Sequence, residues 1–161
     1  MVDQPPPPIV VGIDGSDSAH RALDWAVREA QIRGCTVRVV HAWTYEPLAD
    51  FVGTSSRELY LSSLALLREQ ITQATTGLTR PPAIEFDSIQ GEPAHALCQA
   101  GRDAGMLVVG RHRGGLVRQV LLGSVSAACV RHASCPVVVV PATATRPQDT
   151  TEDARTVSHD R

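Results

Sequence analysis

The sequence predicts a single α/β domain built on an open, doubly wound, five-stranded parallel sheet with helices on both faces. Three observations carry this. Short runs of β-forming residues alternate with stretches whose apolar residues recur at helical spacing, the pattern of consecutive strand–helix units. Two of the runs, Met106–Gly110 (MLVVG) and Pro136–Val140 (PVVVV), show no polar alternation, which predicts strands covered on both faces, as in a parallel sheet. The chain has 161 residues, room for one domain with a core that folds unassisted, and no repeat at solenoid spacing is present.

The first strand is Ile9–Asp14 (IVVGID), a β-forming run that ends on an acid. Ala19, Ala22, Leu23, Ala26, Val27 and Ala30 then recur at helical spacing. Ser16 or Asp17 is a natural N-cap for that helix, and Gly34 a natural stop. Thr36–Trp43 is the second strand. A second helix runs through Tyr60, Leu64, Leu67, Ile71 and Ala74 and stops at Gly77. Ala83–Ile89 alternates partly and reads as the third strand, and Pro93 opens a helix that extends to about Ala104. Met106–Gly110 is the fourth strand, a short helix runs from Ser124 to His132, and Pro136–Val140 is the fifth strand. The flanks differ. Residues 1–8 hold Pro5–Pro8, an extended polyproline stretch that adds no core, and residues 142–161 lack large apolar side chains and read as a disordered polar tail. The folded domain is therefore expected over 9–141.

Composition narrows the function classes. Hydrophobic residues make up 43% and charged residues 20%, ordinary for a globular chain, and a net charge of -2 argues against a general binder of nucleic acid. No apolar run approaches the ~20 residues of a membrane span. The stretch before Ile9 has neither the cationic start nor the apolar centre of a signal peptide, so a cytoplasmic location is expected. Cys35, Cys98, Cys129 and Cys135 are widely spaced in apolar surroundings, which favours free thiols over disulfides or a zinc site. All 15 basic residues are arginine, which removes lysine-based covalent chemistry.

In open α/β sheets ligands bind beyond the carboxyl ends of the strands, where the strand order reverses. That rule selects Gly12-Ile13-Asp14-Gly15-Ser16, His41-Ala42-Trp43 and the segment from Gly110 to Ser126. In the last, GRHRGGLVRQVLLGSVS, Gly110 ends a strand and Gly123-Ser124 open a helix whose free N–H groups and dipole suit a phosphate. Ser124 and Ser126 can add hydroxyl donors, and Arg111, Arg113 and Arg118 can supply charge. The same residues also have plain structural uses: glycines turn chains, a serine caps a helix, and Asp14 can hydrogen-bond its own loop. There is no G-x-x-x-x-G-K-[ST] and no G-x-G-x-x-G after the first strand, which excludes a P-loop and a dinucleotide fingerprint.

The order of motifs resembles the universal stress protein family in its small single-domain form. The matching stretches are IVVGIDGSDSAHRALDWA (9–26), VRVVHAW (37–43), GEPAHALCQAG (91–101) and LVVG…LLGSVS…CPVVVVP (107–141), with the weakest match over 44–88. The resemblance implies an adenine-nucleotide alpha-hydrolase-like sheet in the order 3-2-1-4-5 and a homodimer built largely through the last strand. In one branch it also implies bound ATP, with or without Mg²⁺. That branch is marked by G-x-x-G, nine residues, then G-[ST]; here Gly110 and Gly123-Ser124 match, but the second glycine position holds Arg113. A shift of the loop onto Gly114, or a guanidinium–phosphate contact from Arg113, would accommodate the change. By the same resemblance Asp14 contacts the adenosine part, Ala42 lines the adenine pocket with Gly12, Ile13 belongs to the nucleotide-binding set, and Val125 and Ser126 contact phosphates.

The histidines carry little catalytic signal. His20 and His159 are expected in solvent, His95 early in its helix beside the inward Ala96, and His132 near helix carbonyls. His41 on its strand is expected to be a hydrogen-bonded core residue, and His112 alone falls in the phosphate loop. No G-x-S-x-G elbow, metal-ligand cluster or paired-carboxylate site occurs, so no catalytic residue is assigned. Trp25 and Trp43 read as core or interface residues. Three readings follow: a regulatory dimer that binds ATP and at most hydrolyses it slowly, with an unknown protein partner; a stress-response dimer that has lost ATP through Arg113; and an enzyme acting on ATP.

Overall fold

The computed structural model describes residues 5–46, 55–111 and 122–141. The elements run β1 (Ile9–Ile13), α1 (Asp17–Arg33), β2 (Val37–Trp43), α2 (Ser56–Thr75), β3 (Ile84–Gln90), α3 (Pro93–Ala100), β4 (Met106–Gly110), α4 (Ser124–His132) and β5 (Val137–Val140). The five strands are all parallel in the order β3-β2-β1-β4-β5, as the resemblance implies.

Strand alternation divides the core into two layers. Ile9, Val11 and Ile13 of β1, with Val37, Val39, Met106 and Val108, face α1 and α2, where Ala22, Leu23, Ala26, Val27 and Leu67 meet them. Val10, Val40, Leu107 and Val109 face the other way, onto Ala94 and Leu97 of α3 and Cys129 of α4. Each fully buried Leu or Val contributes about 1.5–3 kcal/mol of transfer free energy, so these two layers hold the sheet.

The helix ends follow the sequence closely. Ser16 caps α1 by accepting from the Ala19 N–H at 3.2 Å. Gly34 closes it in the left-handed region (φ 64°), which glycine enters without strain. α2 begins earlier than its apolar spacing suggests, because Ser55 and Glu58 form a reciprocal capping box. The third helix ends sooner than expected. α3 stops at Ala100 and a short 3-10 turn, Gly101–Asp103, carries the chain to β4.

Two expectations need correction. β5 is half-buried at all four positions rather than covered on both faces, because it is the edge strand and has one neighbour. The polyproline stretch is not wholly separate from the domain: the Pro8 carbonyl accepts the Gly105 N–H at 2.9 Å, which ties the chain in just before β1. The polar tail expected over 142–161 and residues 1–4 lie outside the described residues.

Candidate functional site

The strand order reverses between β1 and β4, and their carboxyl ends open onto a cleft of about 280 Å³. Gly12 and Ile13 of β1 with Asp14 just after it, Val40 and Ala42 of β2, and Val109 and Gly110 of β4 form its floor. Pro93 and Leu97 of α3 form one wall, Ser16, Ser18 and Ala19 at the start of α1 another, and Gly123, Ser124, Val125 and Ser126 at the start of α4 a third. Nine residues that the sequence points to thus converge on one cavity: Gly12, Ile13, Asp14, Ala42, Gly110, Gly123, Ser124, Val125 and Ser126. Arg113, with His112, Gly114 and Arg118, lies outside the described residues.

The two floor glycines are explained by packing. A Cβ on Gly110 would stand 2.5 Å from the Ser18 carbonyl oxygen and 2.6 Å from its carbon, so only glycine lets β4 approach the first turn of α1. A Cβ on Gly12 would meet the Leu97 methyls at 2.7 and 2.9 Å, so glycine here lets Leu97 lie across the strand end.

The polar groups around the cleft differ in how far the fold uses them. Asp14 Oδ1 accepts from the Ser16 N–H at 2.9 Å and from the Ser16 hydroxyl at 2.5 Å, which fixes the turn between β1 and α1. Asp14 therefore does serve its own loop, while its exposed carboxylate also faces the cleft. Glu92 caps α3, accepting from Ala94 N–H at 3.0 Å and His95 N–H at 2.7 Å, and these bonds hold its carboxyl below the usual glutamate range. α4 is different. Its N-cap is Gly123, no described side chain caps it, and the buried Ser126 hydroxyl donates back to the Gly123 carbonyl at 3.0 Å. The first N–H groups of α4 thus open on the cleft with the positive end of the helix dipole.

Beneath Asp14 a chain of hydrogen bonds joins three elements. Trp43 Nε1 donates to Ser88 Oγ at 2.9 Å, Ser88 donates to Ser63 Oγ at 2.7 Å, and Ser63 lies 2.7 Å from His41 Nδ1. The Ser63 hydroxyl, which accepts from Ser88, can either donate to a bare Nδ1 or accept from an Nδ1–H, so this contact suits either tautomer of a neutral imidazole. Burial, partly opposed by the Asp14 charge, lowers the His41 pKa accordingly. His41 is the hydrogen-bonded residue expected from its strand position. His20 is less open than expected, with 32% of its side chain exposed 3.7 Å from Asp24 one turn on. His95 and His132 are exposed.

Sequence reasoning did not single out Ser18, Val40, Pro93 or Leu97 as lining residues. Ser18 is one turn into α1, and Pro93 and Leu97 read only as helix start and helix core, so no local signal aims them at the cleft. Among the described residues no group of three His, Cys, Asp or Glu side chains is placed to hold a metal ion. No described helix is long and apolar enough to cross a membrane.

Comparison with known proteins places this architecture. The family model for the universal stress protein family matches residues 7–141. A universal stress protein of Thermus aquaticus is 38% identical over 134 residues, covering 82% of this chain and 96% of the relative. The chain spans about half the length of the mycobacterial relatives it matches, at 47% of two of them. Among solved structures, a universal stress protein in complex with cAMP is 28% identical with a TM-score of 0.66, covering 83% of this chain and 96% of that one. The Archaeoglobus fulgidus universal stress protein in complex with dAMP is 25% identical with a TM-score of 0.63, again covering 83% and 96%. With the 3-2-1-4-5 sheet, the cleft at its switch point and these matches together, the chain belongs to the universal stress protein family.

Proposed function

We propose that this protein is a nucleotide-dependent regulator that holds ATP in the cleft at the carboxyl end of the sheet. The uncapped start of α4 carries the reading: it supplies backbone donors and a positive dipole opposite an apolar floor, the division of labour a nucleotide needs. The base sits on Gly12, Ile13 and Ala42, Asp14 meets the ribose, and Gly123, Ser124, Val125 and Ser126 meet the phosphates. Gly110 shapes the floor. Arg113 adds charge to the phosphate loop. Solved relatives that bind cAMP and dAMP support an adenine nucleotide as the ligand class.

Asp14 is the one carboxylate among the described lining residues, so Mg²⁺ would ride on the nucleotide phosphates rather than on a protein cage. That carboxylate is engaged by the Ser16 N–H and hydroxyl, which fits regulation with at most slow hydrolysis. The edge strand β5, half-buried with Val130 nearby 50% exposed, is the surface for a homodimer in the cytoplasm, and a protein partner reads the nucleotide state. A second reading is favoured by Arg113 at the motif's glycine position: a stress-response dimer without ATP.

Thermal denaturation with added ATP and Mg²⁺ separates the two. Ligand at a hundredfold its dissociation constant stabilises by ~2.7 kcal/mol. At roughly 2–4 °C per kcal/mol, that is a rise of several degrees. No shift, with no nucleotide released from the heat-denatured protein, leaves the second reading.

A further inference from the structure

The polar groups of the cleft ask different things of a ligand at different corners. At the start of α4 the open backbone N–H groups are donors. At the corner where β1 runs into α1, the lining side chains are Asp14, Ser16 and Ser18, and their hydrogens are already committed. A hydroxyl has one hydrogen to donate and two lone pairs to accept with. Ser16 uses all three. It donates to Asp14 Oδ1 at 2.5 Å, accepts from the Ala19 N–H at 3.2 Å, and lies 3.1 Å from Ser18 Oγ. An ionised carboxylate only accepts, so the Ser16 hydrogen belongs to Asp14 and the contact with Ser18 runs the other way, with Ser18 donating.

This order of donation fixes what is left for a ligand. Asp14 Oδ1 is filled by the Ser16 N–H and hydroxyl, which leaves Oδ2. Ser18 has given its hydrogen to Ser16, which leaves the lone pairs of its Oγ, and no described group donates to them. Ser18 is only 8% exposed, in the first turn of α1, so an acceptor there goes unsatisfied once a ligand displaces the water of the cleft. The corner therefore presents two side-chain acceptors and no free side-chain donor.

We propose that Ser18 is a sugar-binding residue: its Oγ accepts from one ribose hydroxyl while Asp14 Oδ2 accepts from the other, so the cleft selects a ribonucleotide that keeps both its 2′ and 3′ hydroxyls. The assignment rests on the nucleotide reading above and deepens it by naming the sugar. One hydroxyl, that of Ser16, stands between the two acceptors and bonds to both residues, a spacing suited to a vicinal diol. Ser16 itself touches no ligand in this account. It is a positioning residue that holds Asp14 and sets the direction in which Ser18 donates.

The test compares AMP with 2′-deoxy-AMP and 3′-deoxy-AMP by titration calorimetry on the full chain. Each deoxy form is expected to bind about fivefold more weakly than AMP or worse, the loss of one neutral hydrogen bond. In Ser18→Ala one of the two penalties disappears while the other, held by Asp14, remains; alanine suits a helix, and circular dichroism checks the fold. Should that variant fail to fold, Ser18→Cys, similar in shape with a weaker acceptor, takes its place. Both penalties surviving in the folded variant overturn the assignment. So does a parent that binds AMP and both deoxy forms equally. A parent that ignores the sugar but discriminates against purine riboside 5′-phosphate, which lacks the amino group of adenine, puts the base at Ser18 and overturns it as well. Folded parent that binds none of these nucleotides overturns the nucleotide reading itself, and this assignment with it.

Discussion

α3 and α4 start on the same cleft, and their first turns are finished differently. At α3 the Glu92 carboxylate sits on the Ala94 and His95 N–H groups at 3.0 and 2.7 Å, an anion supplied by the chain itself. At α4 the equivalent place is Gly123, and no described side chain accepts from the helix there. α1 and α2 are likewise capped from within, by Ser16 and by the Ser55–Glu58 box. Among the described α-helices, α4 alone has no described side chain capping its start. The α3 turn shows what an occupant there would do: an anionic oxygen receives consecutive backbone donors and offsets the helix dipole.

The largest way to disturb this comparison is to remove the approach that lets the cleft form. Gly110→Ala places a methyl against Ser18 backbone atoms at 2.5–2.6 Å, which cannot swing aside as a side chain would. The expected cost is about 3 kcal/mol, read as a fall in the melting temperature, together with loss of nucleotide binding. A variant as stable as the parent would mean that β4 and α1 are not held so closely.

A change at α4 itself should spare the fold and alter the ligand. Gly123 has φ -61° and ψ 163°, ordinary extended values that valine adopts readily. Gly123→Val therefore keeps circular dichroism near normal while crowding the donors. Nucleotide affinity is expected to drop tenfold or more, about 1.4 kcal/mol, measured by titration calorimetry. Unchanged affinity would place the phosphates elsewhere.

The smallest effect belongs to α3. Glu92→Ala removes an exposed cap, at a cost under ~1 kcal/mol at neutral pH, with nucleotide affinity unchanged. The sign in pH follows from a carboxyl held below its ordinary value of 4.5. Its contribution is complete above the unfolded value and disappears as pH falls through the lower folded value. Parent and variant should then melt alike in strong acid and differ at neutral pH. A difference that grows on acidification would contradict the cap.

The same contrast shows what a sequence discloses and what it withholds. Caps are local, so Ser16, Gly34 and the Pro93 start are visible as residue types at helix edges. The strand runs are visible for the same reason, and the motif order points to the sheet order. The reason for Gly110 is not local: it lies in Ser18, which meets it only once β4 has docked beside β1. Burial of the valine runs is withheld too. Met106–Val109 and Val137–Val140 look alike as text, yet the first is enclosed and the second half-buried, because strand order decides which has two neighbours. The cleft residues from the strand ends were legible through the switch-point rule. Those from inside α1 and α3 were not, since an inward leucine reads the same whether it faces a sheet or a ligand.

The most direct test of the central claim compares adenosine with AMP on the unmodified protein by titration calorimetry. If the open start of α4 receives the phosphate, AMP binds at least tenfold more tightly than adenosine, about 1.4 kcal/mol from the phosphate alone. Equal affinities for the two, or binding of neither by the folded protein, would contradict it.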